Sequence, residues 1–221
     1  MKTDELIKQS VVYELGRDMR VDASKIVVTV YNGRVTLTGE APTLLGKSAA
    51  TDAALAILGV VDVDNLIVVK YPSTVRIPTD VEIKENILMK LAGNPDIDVL
   101  DLDVTVDAGV VTLRGTVDTY WKRTFLEDLV APEAGVTFIE NHVAVIPTHN
   151  VLDKVIAEDI VASLEARANV DADDIEVSVS DGVVELTGSV PDAAARQAAA
   201  KAAFHPAGVK MLHNNLVIAR P

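Results

Sequence analysis

The chain has 221 residues, with 33 acidic side chains against 20 basic ones and a net charge of −13. Hydrophobic residues make up 49% and aromatics only 4%, so the cores must be aliphatic, and disorder of the whole chain is excluded. The acidic balance excludes nucleic acid as a partner, and the lack of cysteine excludes disulfides, thiolate zinc sites and thiol nucleophiles.

The first predicted element is a helix with apolar positions Ile7, Val11, Val12 and Leu15 on one stripe, capped by Thr3. Two strands follow, where Val28 and Val30, then Val35 and Leu37, alternate with threonine. Asn32-Gly33 between them is a two-residue hairpin signal. A second helix is expected over Pro42–Leu58, with Ala49, Ala50, Ala53 and Ala54 facing inward. Ile67 and Val69 then mark a last strand.

This series occurs three times. Asn32-Gly33-Arg34-Val35-Thr36-Leu37-Thr38-Gly39 returns as Ala108-Gly109-Val110-Val111-Thr112-Leu113-Arg114-Gly115, and again as Asp181-Gly182-Val183-Val184-Glu185-Leu186-Thr187-Gly188. The offsets of 76 and 73 residues also match Asp4, Asp80 and Asp153, and Asp22, Asp98 and Asp171. They carry the first stripe onto Ile83, Ile87, Leu88 and Leu91, then onto Ile156, Ile160, Val161 and Leu164. Thr79 with Glu82 forms a capping box, and Asn150 is expected to cap the third copy. The second helices are expected over Asp118–Ala134, with Phe125, Leu126, Leu129 and Val130 inward, and over Pro191–Ala207, with Ala198, Ala199, Ala202 and Ala203. The units run over 3–70, 79–147 and 150–220, joined by short proline-containing links that restrict their mutual arrangement. The predicted fold is an α/β (α+β) two-layer sandwich, repeated as three tandem α-β-β-α-β domains. Each has a small three-stranded sheet covered on one face by two helices, with the second hairpin strand central.

The pattern resembles the BON domain, named for bacterial OsmY and nodulation proteins. The Asp-headed helical stripe carries the resemblance, with the Asn/Asp-Gly turn, the V-x-L-x-G strand and the closing Gly59-Val60-Val61-Asp62-Val63-Asp64-Asn65-Leu66-Ile67-Val68-Val69. The resemblance implies a non-catalytic module described as binding phospholipid or supporting the cell envelope under osmotic stress. It brings no catalytic residue and no cofactor. The alternative is an intracellular protein–protein interaction or scaffold protein, favoured by the acidic surface. Members of the OsmY type are periplasmic. Met1–Leu6 lacks the apolar core of a secretory signal, so the cytoplasm is expected here, or the periplasm if this is a mature form. Sheet edges are left for pairing between chains or domains, and no oligomeric state is fixed.

Several repeated residues admit two readings. Gly39, Gly115 and Gly188, placed between strand and helix, could cradle a phosphate or form a backbone turn; the missing G-x-x-x-x-G-K favours the turn. Gly59, Gly135 and Gly208, each before a valine, are structural repeat positions. Asn65, Asn141 and Asn214 open the last strand, where a ligand contact is conceivable and a bond to neighbouring backbone is favoured. His142, His149, His205 and His213 lack metal-ligand spacing, so no metal site is expected. Trp121 continues a buried stripe. Leu44 and Tyr120 are expected to point partly outward, towards a membrane, a protein or the next domain. The three units carry net charges of −2, −8 and −5.

Overall fold

The structure, a computed structural model, describes residues 3–219. The opening Met1-Lys2 and the predicted end of the third unit at Arg220 lie outside the described residues.

Each repeat begins with a helix: α1 Asp4–Arg17, α3 Asp80–Ala92 and α5 Asp153–Glu165. Each buries one residue per turn, Ile7, Val11 and Leu15 in α1 and their counterparts in α3 and α5. The stripe is narrower than expected. Val12 is 48% exposed, Val161 is also exposed, and Leu88 is half-buried. A residue about 100° further round the helix than Val11 lies beyond the seam with the rest of the unit. Thr3 Oγ1 accepts from the Leu6 amide, and Thr79 with Glu82 closes the predicted capping box. Asn150 is not a cap. The residue before α5 is Leu152, which has no side-chain acceptor and stands where the other copies carry threonine.

The hairpins follow, with β1 Ile26–Tyr31 antiparallel to β2 Arg34–Ala41 in the first unit. Asn32 and Gly33 at the tip have φ of 50° and 74°, the mirror-image turn that matches strand twist. The chain crosses over through α2 Leu44–Leu55 to β3 Asp62–Val69, which runs parallel to β2 with Gly39 opposite Ile67. The sheet order is β1-β2-β3, with the second hairpin strand central. The second unit has β4 Leu102–Asp107, β5 Val110–Val117, α4 Tyr120–Val130 and β6 Phe138–Val145, in the order β4-β5-β6. The third has β7 Ile175–Ser180, β8 Val183–Val190 and α6 Ala193–Ala203. Its last strand is broken into β9 Met211–Asn214 and β10 Val217–Ile218, both parallel to β8. These are three tandem α+β domains. The second helices are shorter than predicted. Thr43 and Asp192 accept from the Gly46 and Ala195 amides and so start α2 and α6 after the prolines.

The first core contains Val28, Val35, Leu37, Val60 and Ile67 beside α1 and α2. Val30 is only half-buried, since it stands one residue from the exposed hairpin tip. The cross-over helices differ in what they bury. In α2 it is Ala49, Ala50, Ala53 and Ala54, and in α6 it is Ala195, Ala199, Ala202 and Ala203. In α4 it is Leu126 and Val130, with Phe125 and Leu129 half-buried.

The chain gathers into two compact units. One combines the first repeat with α3 and residues 104–113 and 127–141; the other combines residues 95–103 and 114–126 with the third repeat.

Between α1 and β1, Asp18 accepts from the Arg20 guanidinium at 2.7 Å and 3.0 Å and from the Arg20 amide at 2.9 Å. These bonds hold its carboxyl down to about 2. A folded-state value below the unfolded one means stability that is present above about pH 4 and lost as pH falls towards 2. Urea midpoints measured from pH 5 to pH 2 will show this loss in the parent, with a smaller loss in Asp18→Asn. Equal losses in the two would sink the assignment.

Candidate functional site

The aspartate that opens each first helix reaches across to the hairpin tip. Asp4 accepts from the amides of Asn32 at 2.8 Å and Gly33 at 3.0 Å. Asp80 does the same for Ala108 and Gly109 at 2.9 and 3.0 Å, and Asp153 for Asp181 and Gly182 at 2.8 and 2.9 Å. From the other side, the carbonyls of Gly33, Gly109 and Gly182 accept from the Val61, Thr137 and Lys210 amides at 2.9, 2.8 and 2.8 Å. A carboxylate at a helix N-terminus also suits the helix dipole. Each aspartate thus ties the helix to the turn, and the turn's glycine carbonyl ties it to the residue that leads into the last strand.

The repeated asparagines fasten the last strand to the cross-over helix. Asn65, inside β3 rather than at its start, donates to the Lys47 carbonyl at 2.8 Å and to Thr51 Oγ1 at 2.7 Å, and accepts from the Ile67 amide. Asn214 bonds the Arg196 carbonyl and the Leu216 amide. Asn141 donates to Glu127 at 2.9 Å.

Gly39 also lies inside a strand, β2, opposite Ile26, and not in the turn before the helix. Its φ is +117°, and a Cβ there would stand 2.0 Å from the Lys25 carbonyl oxygen. Gly115 and Gly188 repeat this approach against the Asp101 and Asp174 carbonyls. Gly59, Gly135 and Gly208 follow the cross-over helices, also at positive φ.

Leu44 is not a surface residue. It is 9% exposed, and its counterpart Ala193 is buried as well. A side chain in a first helical turn leans back towards the helix start, here towards the chain arriving from β2. Tyr120, at the same position of α4, is half-buried against the third unit's core, within the compact unit that holds both. Its ring lies 6.1 Å from that of Phe204. Trp121 is half-buried rather than core, 5.7 Å from Phe125. In the other compact unit the Tyr71 hydroxyl donates to the Val136 carbonyl at 3.2 Å, and burial pushes its phenol up.

Shallow clefts lie among the described residues, and the following are examples. One, about 330 Å³, is lined by His149, Leu152, Asp153, Asp181 and Lys210, but its Asp153 oxygens are already committed to the hairpin tip. The other, about 320 Å³, is lined by Asp96, Asp98, Asp101, Asp118 and Lys122, with Lys122 bonded to Asp118 at 2.9 Å. Among the described residues, no three of His, Cys, Asp and Glu come together to hold a metal ion, and no helix is long and apolar enough to cross a membrane.

One departure from the repeat is the open sheet face of the first unit. There Val27, Tyr31, Leu66 and Val68 are 59%, 77%, 63% and 62% exposed. The matching positions are Asp103, Asp107, His142 and Ala144 in the second unit, and Glu176, Ser180, Asn215 and Val217 in the third. The sequence hid this face, because Ile26–Tyr31 is apolar at five of six positions and shows no polar alternate side beyond Thr29.

A family model for the BON domain matches residues 3–71, 79–147 and 152–220. The 21 kDa hemolysin of Actinobacillus pleuropneumoniae is 32% identical over 114 residues, which is 51% of this chain and 59% of that protein. The chain thus spans somewhat over half the length of this curated relative. Two solved structures of CdsD, a structural protein of the type III secretion system of Chlamydia trachomatis, align at a TM-score of 0.26. One is 17% identical, covering 96% of this chain and 91% of that one; the other, its C-terminal domain, is 19% identical with full coverage of both. With three family matches across nearly its whole length, the chain belongs to the BON domain family.

Proposed function

We propose that this chain is a non-enzymatic binding module that contributes to osmotic or envelope stress adaptation by holding protein partners. One observation carries this reading. The side chains common to all three units are bonded into their own fold: the aspartates to hairpin tips and the asparagines to the strand–helix joint. What differs between units is surface, and surface is what recognition uses.

A second reading, association with a phospholipid membrane surface, is favoured by the relative that carries the name hemolysin. Charge weighs against anionic lipid. A basic residue near an anionic leaflet is worth about 1 kcal/mol, and the chain carries 33 acidic residues against 20 basic ones. Each first helix mixes both signs, as with Lys8 beside Asp4, Glu5 and Glu14. Co-sedimentation with phosphatidylglycerol vesicles at physiological salt will therefore recover little protein, and what binds will come from the least acidic, first unit. Tight binding that weakens as salt rises would overturn the protein reading in favour of lipid.

A further inference from the structure

We infer that Tyr71 is a latch on the joint between the first and second repeats, holding the link 71–78 folded back on itself. The claim is independent of what the chain binds.

The first repeat fixes where Tyr71 starts. The Lys70 amide donates to the Ala41 carbonyl at 2.8 Å, and Lys70 Nζ pairs with Glu40 at 2.6 Å. The pairing of β3 with β2 therefore runs up to the residue before Tyr71. The second repeat receives the ring. The Tyr71 hydroxyl donates to the Val136 carbonyl at 3.2 Å, with the Glu133 carbonyl at 3.5 Å, in the segment that leads from α4 to β6. These partners stand 65 and 62 residues further along the chain, so the contact joins two repeats rather than neighbours in sequence. Tyr71 and both partners lie in one compact unit.

The link then returns to the same segment. Pro78 is half-buried, and its Cδ stands 3.5 Å from where a Cβ on Gly135 would be. Between these two anchors residues 72–77 are all exposed, with a turn closed by the Val75 amide on the Pro72 carbonyl at 3.0 Å. Fully extended, the link 71–78 would reach about 26 Å. It is long enough to let the repeats part, so chain length does not impose the closed joint. Pro78 directly precedes the cap of α3 and belongs to the second repeat's own approach. Tyr71 is the anchor that ties the end of β3 to that repeat. Phenylalanine would bury the same ring and donate nothing to the two carbonyls. A neutral hydrogen bond of this kind shifts an equilibrium by about fivefold, so the latch is one that can open. Residues 148–151, between the second and third repeats, include no tyrosine, so the device belongs to the first joint.

Double electron–electron resonance on the full chain tests this. The chain has no cysteine, so spin labels can be placed through Thr29→Cys and Thr105→Cys, exposed strand residues at matching positions of the first two repeats. The labelled parent will give one dominant distance. Tyr71→Phe will add a longer-distance population, with the open-to-closed ratio raised about fivefold. Tyr71→Ala, which loses the ring as well, will raise it further. Trypsin cleavage after Arg76 will quicken in the same order, because the protease needs the link extended. Far-ultraviolet circular dichroism of both variants will match the parent, since the latch lies outside the repeats' own elements. Tyr120→Ala, in the other compact unit, will leave the distance unchanged. A parent with no dominant distance, a Tyr71→Ala distribution like the parent's, or equal broadening in Tyr120→Ala would each overturn the inference.

Discussion

Gly115→Val will remove the cooperative fold of the second unit. The position has φ of +119°, and a Cβ would stand 2.0 Å from the Asp101 carbonyl oxygen and 3.0 Å from its carbon. Both atoms belong to backbone that runs directly into β4, so neither can swing aside as a side-chain end could. A β-branched residue adds backbone strain of about 1–3 kcal/mol before the collision is counted. The total is expected to exceed about 4 kcal/mol, near the whole stability of a unit of this size. Thermal and urea melts will show an early transition absent from the parent, and Gly39→Val and Gly188→Val will do the same for their own units. An unchanged melt would remove the steric account. An unchanged melt joined to the loss of a bound anion would restore the phosphate-cradle reading.

Asp80→Ala carries the second largest expected effect. The carboxylate accepts from two consecutive amides at the hairpin tip, across 28 and 29 residues of chain. Bonds to a charged acceptor contribute about 1.5–3 kcal/mol each when sheltered, and these sit at a partly exposed tip. A loss of about 3 kcal/mol is expected, read as a lower urea midpoint with unchanged slope. Asp80→Asn keeps one acceptor oxygen but loses the charge beside the helix N-terminus, so it will fall between parent and alanine variant. If Asp80→Asn and Asp80→Ala melt together near the parent, the clamp contributes nothing.

Much of the fold was readable because three copies act as an alignment of the chain with itself. The hairpin strings, the stripe at Ile7, Val11 and Leu15, and the central position of the second hairpin strand all follow from short-range patterns repeated at fixed offsets. The offsets also matched Asp4, Asp80 and Asp153, but gave them no role, since their partners lie 28 and 29 residues away and no local pattern names them. Asn150 was the right residue type for a cap in the wrong place. The offset from Thr79 leads to Leu152, which has no side-chain acceptor to offer. Leu44 was read as outward-facing because exposure in a first helical turn depends on how the chain approaches the helix, which sequence does not encode locally. Tyr120 could be placed only as partly outward; that its neighbour is the third core depends on how the repeats gather into compact units.

The alternation in what the cross-over helices bury bears on how such a chain avoids tangling as it is made. Neighbouring copies of one fold in a single polypeptide can trade equivalent segments while still incomplete. Here α2 presents alanines to its sheet, α4 presents Leu126 and Val130 with Phe125 and Leu129 behind them, and α6 presents alanines again. Seating α4 where α2 belongs would force leucine-sized groups into space shaped for methyls, and the reverse exchange would leave a void. The two helices of matching size, α2 and α6, are separated by a whole repeat. Each adjacent pair is therefore mismatched in size, which disfavours exchange between neighbouring repeats even though the strands around them are nearly alike.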